Sequence, residues 1–410
     1  VIRDRAAVLA AALAAALVLL CAACAPGSPR SSAGARGTAA ASSTAWRYDY
    51  LGADRNGAVS DIAAASADDA WAVARTPVTG NIDGQRASLL HYDGHRWRPY
   101  PLPPVLAPMT DLGSVRLDAP VSGGDVWLFG GAVGTGGEVL VARWDGTRWQ
   151  QAGVPAQFPR DVTGAAVFAP DDAWVVDGTD TAWRWNGASW RPVRLASRVW
   201  DIAGASPGDV WAVGIGPSTE GALDNGGPVA LHWDGRTWRK TAVPAVMPGE
   251  STPEPSDLQG ESSLSYEAGL TRLAIRSADD VQAFGSVSGE GGQDVYQEQL
   301  TLHWDGSRWT KTPSGTVRCC VTGQAGGTVL LGSTYYLDAS GRAVHIGRPP
   351  YAAGRSGKVT AVDRKQKFRV EDQAQIPGTR EIWAVGAMVL DAHGDANFHR
   401  PVIARRTPAD

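Results

Sequence analysis

One unit recurs along the 410-residue chain: a run of small residues, a Ser/Asp turn, a strand centred on Trp, a spacer of variable length, and an Asp-Gly turn bracketed by aromatics. Its clearest copy reads Asp201-Ile-Ala-Gly-Ala-Ser206, then Asp209-Val-Trp-Ala-Val-Gly214, then Leu231-His-Trp-Asp-Gly-Arg-Thr-Trp238. A unit of this size cannot bury its apolar face alone, so the chain must stack copies of it. The second half recurs at His91 to Trp97, Arg143 to Trp149, Arg184 to Trp190, His232 to Trp238 and His303 to Trp309. The Trp-centred strand recurs at Trp71, Trp127, Trp174, Trp211 and Trp383, with Gln282 and Leu330 in the matching places of two degenerate copies, which makes seven units.

Each unit reads as four short antiparallel strands. The first, such as Ile62-Ala-Ala-Ala65, is built of small residues, as expected where seven strands converge on a crowded axis. The second, Ala70-Trp-Ala-Val-Ala74, alternates bulky and small side chains with period two and so has one bulky face and one flat face. The third and fourth form a hairpin whose Gly adopts turn geometry without steric cost, while aromatics on both sides pair across the strands. All but Trp183 and Trp200 of the 17 tryptophans fall at repeated positions, so most of the Trp is core.

The last unit, Ile382-Trp-Ala-Val-Gly386 followed by Pro401 to Arg406, lacks a fourth strand, and Thr44-Ala-Trp46-Arg-Tyr-Asp-Tyr-Leu51 reads as a fourth strand without the other three. Closing the ring with this segment removes the two exposed edges that an open stack would leave. The expected fold is therefore all-β: a seven-bladed propeller over residues 44–410, of about 360 residues or roughly 50 per blade, with its last blade completed by the N-terminal strand. The 49 Gly and 26 Pro suit many turns, and no segment carries a helical period long enough for a second domain.

Residues 1–24 read differently. Arg3 and Arg5 precede an apolar run from Ala6 to Leu20, shaped like an export signal and short for a membrane span. Cys24, after Cys21-Ala-Ala, resembles the lipidated cysteine of bacterial lipoprotein signals, with Cys21 where that pattern has Leu; secretion with cleavage near Ala25 is the alternative. Residues 25–43, rich in Ser, Ala, Gly and Pro, then form a flexible tether with a reach of roughly 25 Å. The expected location is the outer face of the cytoplasmic membrane, or outside the cell. The formal charge of −4 with no basic stripe argues against nucleic acid as a partner. Cys319 and Cys320 are adjacent, which in an exported chain invites a vicinal disulfide; the alternative is a pair of small strand residues.

The S-x-x-D-V-W-A-V-G and H-W-D-G-x-x-W repeats resemble those of bacterial, especially actinobacterial, secreted β-propellers, over about residues 44–410. That resemblance implies a fold and an export route and no particular reaction, because propellers host binding modules and enzymes alike. Chemistry must be sought where the repeat breaks. His91, His232 and His303 share one repeated position that Arg143 and Arg184 fill elsewhere, which points to hydrogen bonding within the blade. The segment Asp391-Ala-His-Gly-Asp395-Ala-Asn397-Phe-His399 has ligand-type side chains but lacks the calcium-loop pattern, and reads better as a solvated loop. No nucleophile elbow, zinc motif, phosphate loop or dinucleotide fingerprint appears, so no catalytic residue, metal or cofactor is expected.

Loop lengths say more. Connections from second to third strand and from fourth to first vary widely, as at 75–87, 215–228, 247–265 and 387–400, and antiparallel geometry puts them on one face of the disc. Variable loops on a rigid scaffold are where binding resides. Aromatics outside the repeat positions, Phe158, Trp200, Tyr266, Tyr296, Tyr351 and Phe398, are the candidate ligand-binding residues, with the acids Glu250, Glu254, Asp257, Glu261 and Glu267 nearby. The expected function is a monomeric, lipid-anchored binding or scaffold propeller that recognises a cell-envelope glycan or protein. The alternative is a glycan-active hydrolase or lyase on the same scaffold.

Overall fold

A computed structural model describes residues 46–53, 56–77, 85–132, 139–216, 226–246, 265–291, 294–312, 321–325, 328–337, 343–353, 357–391 and 398–406. These residues form seven four-stranded antiparallel sheets. Six sheets take their strands in sequence order; the seventh is ordered Arg47–Leu51, Phe398–Arg406, Ile382–Leu390, Lys367–Gln375 from rim to axis. The first strand of every blade touches the first strand of the next, and that of blade 7 touches that of blade 1. The ring is closed, and the N-terminal strand closes it.

The sequence pattern places the core. Trp71, Trp127, Trp174, Trp211 and Trp383 lie in second strands and are among the largest fully buried side chains, each packed between two blades. Trp71 meets both members of the Trp144–Trp149 cross-strand pair of blade 2, with ring centroids 4.8 and 5.0 Å away. Trp211 does the same with Trp304 and Trp309 of blade 5 at 4.9 and 5.1 Å. Edge-to-face packing of this kind adds about 0.5–1.5 kcal/mol per pair beyond the area it buries.

The hairpin turns are built alike. Asp145 Oδ1 accepts the backbone N–H groups of Thr147 and Arg148, both at 2.9 Å, and Asp93, Asn186, Asp234 and Asp305 repeat the arrangement. Bonds to the ionised form lower these carboxyl pKa values: the Thr147 and Ser307 hydroxyls contribute most at Asp145 and at Asp305, which falls to about 2, and the backbone N–H groups contribute most at Asp93 and Asp234. The following glycine takes φ between 83° and 88° in all five turns, in the left-handed region that suits glycine.

Blade 7 carries a lock that the others lack. A bulge in the N-terminal strand at Asp49 aims its carboxylate inward, where it accepts the Trp383 indole N–H at 2.8 Å and pairs with Arg405 at 2.6 Å. The indole N–H groups of the other four core tryptophans have no partner among the described residues. Tyr48 donates to the Pro350 carbonyl at 2.6 Å, and burial pushes its phenol up to about 12.

Candidate functional site

Along the axis, an irregularity in the first strands sets the chemistry. The register slips by one residue at Ser60, Trp200, Thr271 and Glu371. A bulge of this kind turns an extra side chain out of the ladder and re-aims its neighbours. The next residues in those four strands are Asp61, Asp201, Arg272 and Asp372, and each faces the second residue after the core position of its blade. Arg116 and Gly164 hold the same register in blades 2 and 3. One level of the axis is thus lined, in blade order, by Asp61, Arg116, Gly164, Asp201, Arg272 and, in blade 7, Asp372. Gly164 is small for a reason: a Cβ there would stand 2.7 Å from Asp201 Oδ1.

Two of these carboxyl groups clamp one blade to the next. Asp372 accepts the Ile62 N–H at 3.2 Å across the closure seam, and Asp201 accepts the Leu273 N–H at 2.8 Å. Asp118, one level down, accepts the N–H of the next residue, Ala119, at 2.9 Å. Burial raises the pKa values of these three and of Asp61, that of Asp118 to about 7 and that of Asp372 to about 6. Asp61 is held well above the ordinary range, by burial first and then by the neighbouring Asp372 charge, and it hydrogen-bonds that carboxylate. The Arg116 guanidinium is attracted to all four, so the group is an ionic hub as well as a set of clamps.

The histidines on the repeat are structural. His91, His232 and His303 meet Asp69, Asp209 and Asp280 at 2.8, 2.6 and 3.0 Å. Each of these acids lies two residues before the core position of its blade. Arg143–Asp125 and Arg184–Asp172 make the same pair at 3.2 and 2.9 Å. The His91 and His232 rings also stack on Trp71 and Trp211 at 4.2 and 4.3 Å. His399 stands 3.6 Å from Asp391; residues 392–397 between them lie outside the described residues, and no cluster of three or more metal-type ligands occurs among the described ones.

Two clefts open at the ends of the first and second strands from which the variable connections leave. One, of about 490 Å³, lies where blades 1, 2 and 3 meet, with Ser60, Asp61, Arg75, Ser114 and Arg116 in its wall. The other, of about 650 Å³, spans blades 3, 4 and 5 and holds Trp200, Arg198 and a set of serine and threonine hydroxyls. Both fall in the size range of small-molecule sites.

The six aromatics expected at a binding face do not stay together. Phe158 is buried against Trp183 and Trp190 at 5.5 and 5.0 Å, and Phe398 is buried in the core of blade 7, so neither offers a face to a ligand. Tyr351 is half-buried with the Arg348 guanidinium over its ring. Tyr266 and Tyr296 are strand residues, not loop residues: the first three strands of blade 5 run Ser265–Ser277, Asp280–Gly291 and Asp294–Trp304, and both tyrosines face Gly289 in register. Trp200 does line a cleft, beside Glu267. Glu250, Glu254, Asp257, Glu261, Cys24, Cys319 and Cys320 lie outside the described residues. Sequence reasoning missed the axial acids and arginines, whose signal was a charged residue inside an otherwise small, apolar first strand.

No known family profile and no curated protein matches the chain. Among solved structures it is similar to YCF48 bound to a D1 peptide, at 14% identity and a TM-score of 0.47 over 89% of this chain and 97% of that one. YCF48 from Cyanidioschyzon merolae aligns at 13% identity and a TM-score of 0.46, over 89% and 100% of the two chains. The WD40 β-propeller domain of Doa1 aligns at 10% and 0.42, over 88% and 96%. At these identities the likeness is one of fold alone: the chain is a seven-bladed β-propeller of four-stranded blades closed by its N-terminal strand.

Proposed function

We propose that this protein is a non-catalytic recognition propeller that engages a cell-envelope glycan or protein across its loop-rich face. Export through residues 1–24 and lipid attachment at Cys24 belong to the same reading, supported by the basic residues, apolar run and small residues before that cysteine. The observation that carries it is the gathering of both clefts at one face of a closed ring, with the axial bulges beside them. Of the axial carboxyl groups, Asp372 and Asp201 are already engaged as clamps between blades. The test is a binding screen of the purified chain against envelope glycans and envelope extracts, followed by product analysis of each ligand. Saturable binding with the ligand recovered intact is expected; a shortened or unsaturated glycan would overturn the reading in favour of a hydrolase or lyase.

A further inference from the structure

We infer that the cleft between blades 3, 4 and 5 is a saccharide subsite, in which Trp200 is the stacking platform for a neutral sugar ring and Ser197, Thr271, Ser286 and Ser288 bind its hydroxyls. The inference rests on the loop-rich face being the recognition surface, and it names the ligand class that this part of the face takes.

Four observations carry it. First, these four hydroxyls make no hydrogen bond among the described residues, although Ser197 is buried and Ser286 and Ser288 are half-buried. Elsewhere in the ring, recessed hydroxyls such as Thr163, Ser60 and Thr241 donate to backbone carbonyls. A hydroxyl both donates and accepts, and so does each sugar hydroxyl, so a row of idle hydroxyls matches that chemistry. A bound polyol replaces the water on these groups with hydroxyls of its own.

Second, Trp200 is held in place before any ligand arrives. It is the extra residue of the blade 4 bulge, and its indole lies so close to Gly178 that a Cβ there would stand 2.5 Å from the ring. Gly178 also takes φ of 81°, so the turn and the indole both require glycine. Arg198 sits 5.6 Å from the ring centroid and is itself fixed by its bond to the Gly178 carbonyl at 3.1 Å. A fixed aromatic plane binds with little loss of side-chain freedom. The matching bulge residues Ser60, Thr271 and Glu371 are not aromatic, so the platform belongs to this blade and not to the repeat.

Third, the charges balance. Asp180 is paired with Arg194 at 2.5 Å, and the remaining Arg198 is offset by Glu267 in the same wall. A net-neutral cleft favours an uncharged ligand over a phosphate or a cationic peptide. Fourth, about 650 Å³ lies within the range of ligand pockets, and the wall sets the apolar faces of Trp200 and Ile215 beside the hydroxyls, the mixture of apolar face and polar edge that a sugar ring presents.

The experiment uses the full chain and a panel of neutral trisaccharides: chitotriose, cellotriose, maltotriose and mannotriose, read by calorimetry and by saturation-transfer NMR. At least one is expected to bind saturably. Trp200→Ala should then weaken it at least tenfold and Thr271→Val three- to tenfold, with Val121→Ala, on an exposed turn at the opposite end of blade 2, leaving it unchanged. Thr271 is exposed, so its variant keeps the test valid where Trp200→Ala perturbs folding. Binding by none of the four, or binding that both Trp200→Ala and Thr271→Val leave unchanged, would overturn the assignment. Envelope-extract binding that persists in the two variants would then show that the recognition face stands and only this subsite has failed.

Discussion

At the scale of single residues, the repeat is a device for pairing an acid with His or Arg beside the core position, which is a buried indole in blades 1 to 4 and 7. The acid two positions before the core residue meets His in blades 1, 4 and 5, and Arg in blades 2 and 3. In blade 7 Glu381 takes the acid's place and approaches Arg405 at 3.6 Å, while the Arg405 guanidinium lies 4.9 Å from the Trp383 ring. Imidazole and guanidinium can each stack on the ring and donate to the carboxylate, which makes them exchangeable here. His232→Arg should therefore change stability by less than about 1 kcal/mol, whereas His232→Ala, which strands Asp209 and uncovers Trp211, should cost about 1–3 kcal/mol in urea denaturation. Equal losses for the two variants would show that imidazole has a role of its own. Asp49→Ala removes the partner of the Trp383 indole and the nearer of the two carboxylates at Arg405, and should cost about 2–4 kcal/mol in the same assay.

At the scale of elements, the blades were legible because Trp and Asp-Gly recur with fixed offsets, and even Gln282 and Leu330 stand in the second strands where those offsets put them. The bulges were not legible. A bulge leaves no mark in composition, yet it shifts by one residue which side chains face the axis, so Asp61 and Asp201 look like chance charges in a small-residue strand. Phe158 and Phe398 misled for the opposite reason. They lie outside the repeat positions, but the connection after blade 2 folds back onto Trp183 and Trp190, and the last hairpin extends far enough to enclose residue 398. Trp200, by contrast, both departs from the repeat and lines a cleft. The closure strand is the element with the most to lose: deleting residues 44–51 should expose the edge of Phe398–Arg406 and cause aggregation or loss of cooperative unfolding in a thermal melt. A soluble, cooperative deletion variant would refute the closure.

At the scale of the whole molecule, the ring is held at its axis by acids that keep protons longer than free aspartates do. The sign follows from which state holds the proton. Between an unfolded value near 3.8 and folded values of about 6 for Asp372 and about 7 for Asp118, the folded protein binds protons that the unfolded chain has released. Stability should accordingly be fullest below about pH 4 with respect to these groups and fall as pH rises through about 6 to 7. Asp118→Asn should flatten that fall by an amount on the order of 1–3 kcal/mol, seen by comparing denaturation midpoints at pH 5 and pH 8. Parallel pH profiles for the two proteins would remove Asp118 from the account.

The seam has a practical side. Arg47 pairs with Arg405, so the first and last described strands start and stop next to each other, at the place where an Asp-Gly turn sits in four other blades and an Asn-Gly turn in a fifth. Both clefts open at the other end of the strands. An attachment made at Trp46 or at Arg406, to a sensor chip or a label, therefore starts at the end of the ring away from both clefts. Immobilised through residues before Trp46, the protein should bind its ligand as tightly as it does free in solution. A link of four residues from Arg406 to Trp46 would turn the seam into one more hairpin, leaving a ring that can be cut open at any other turn.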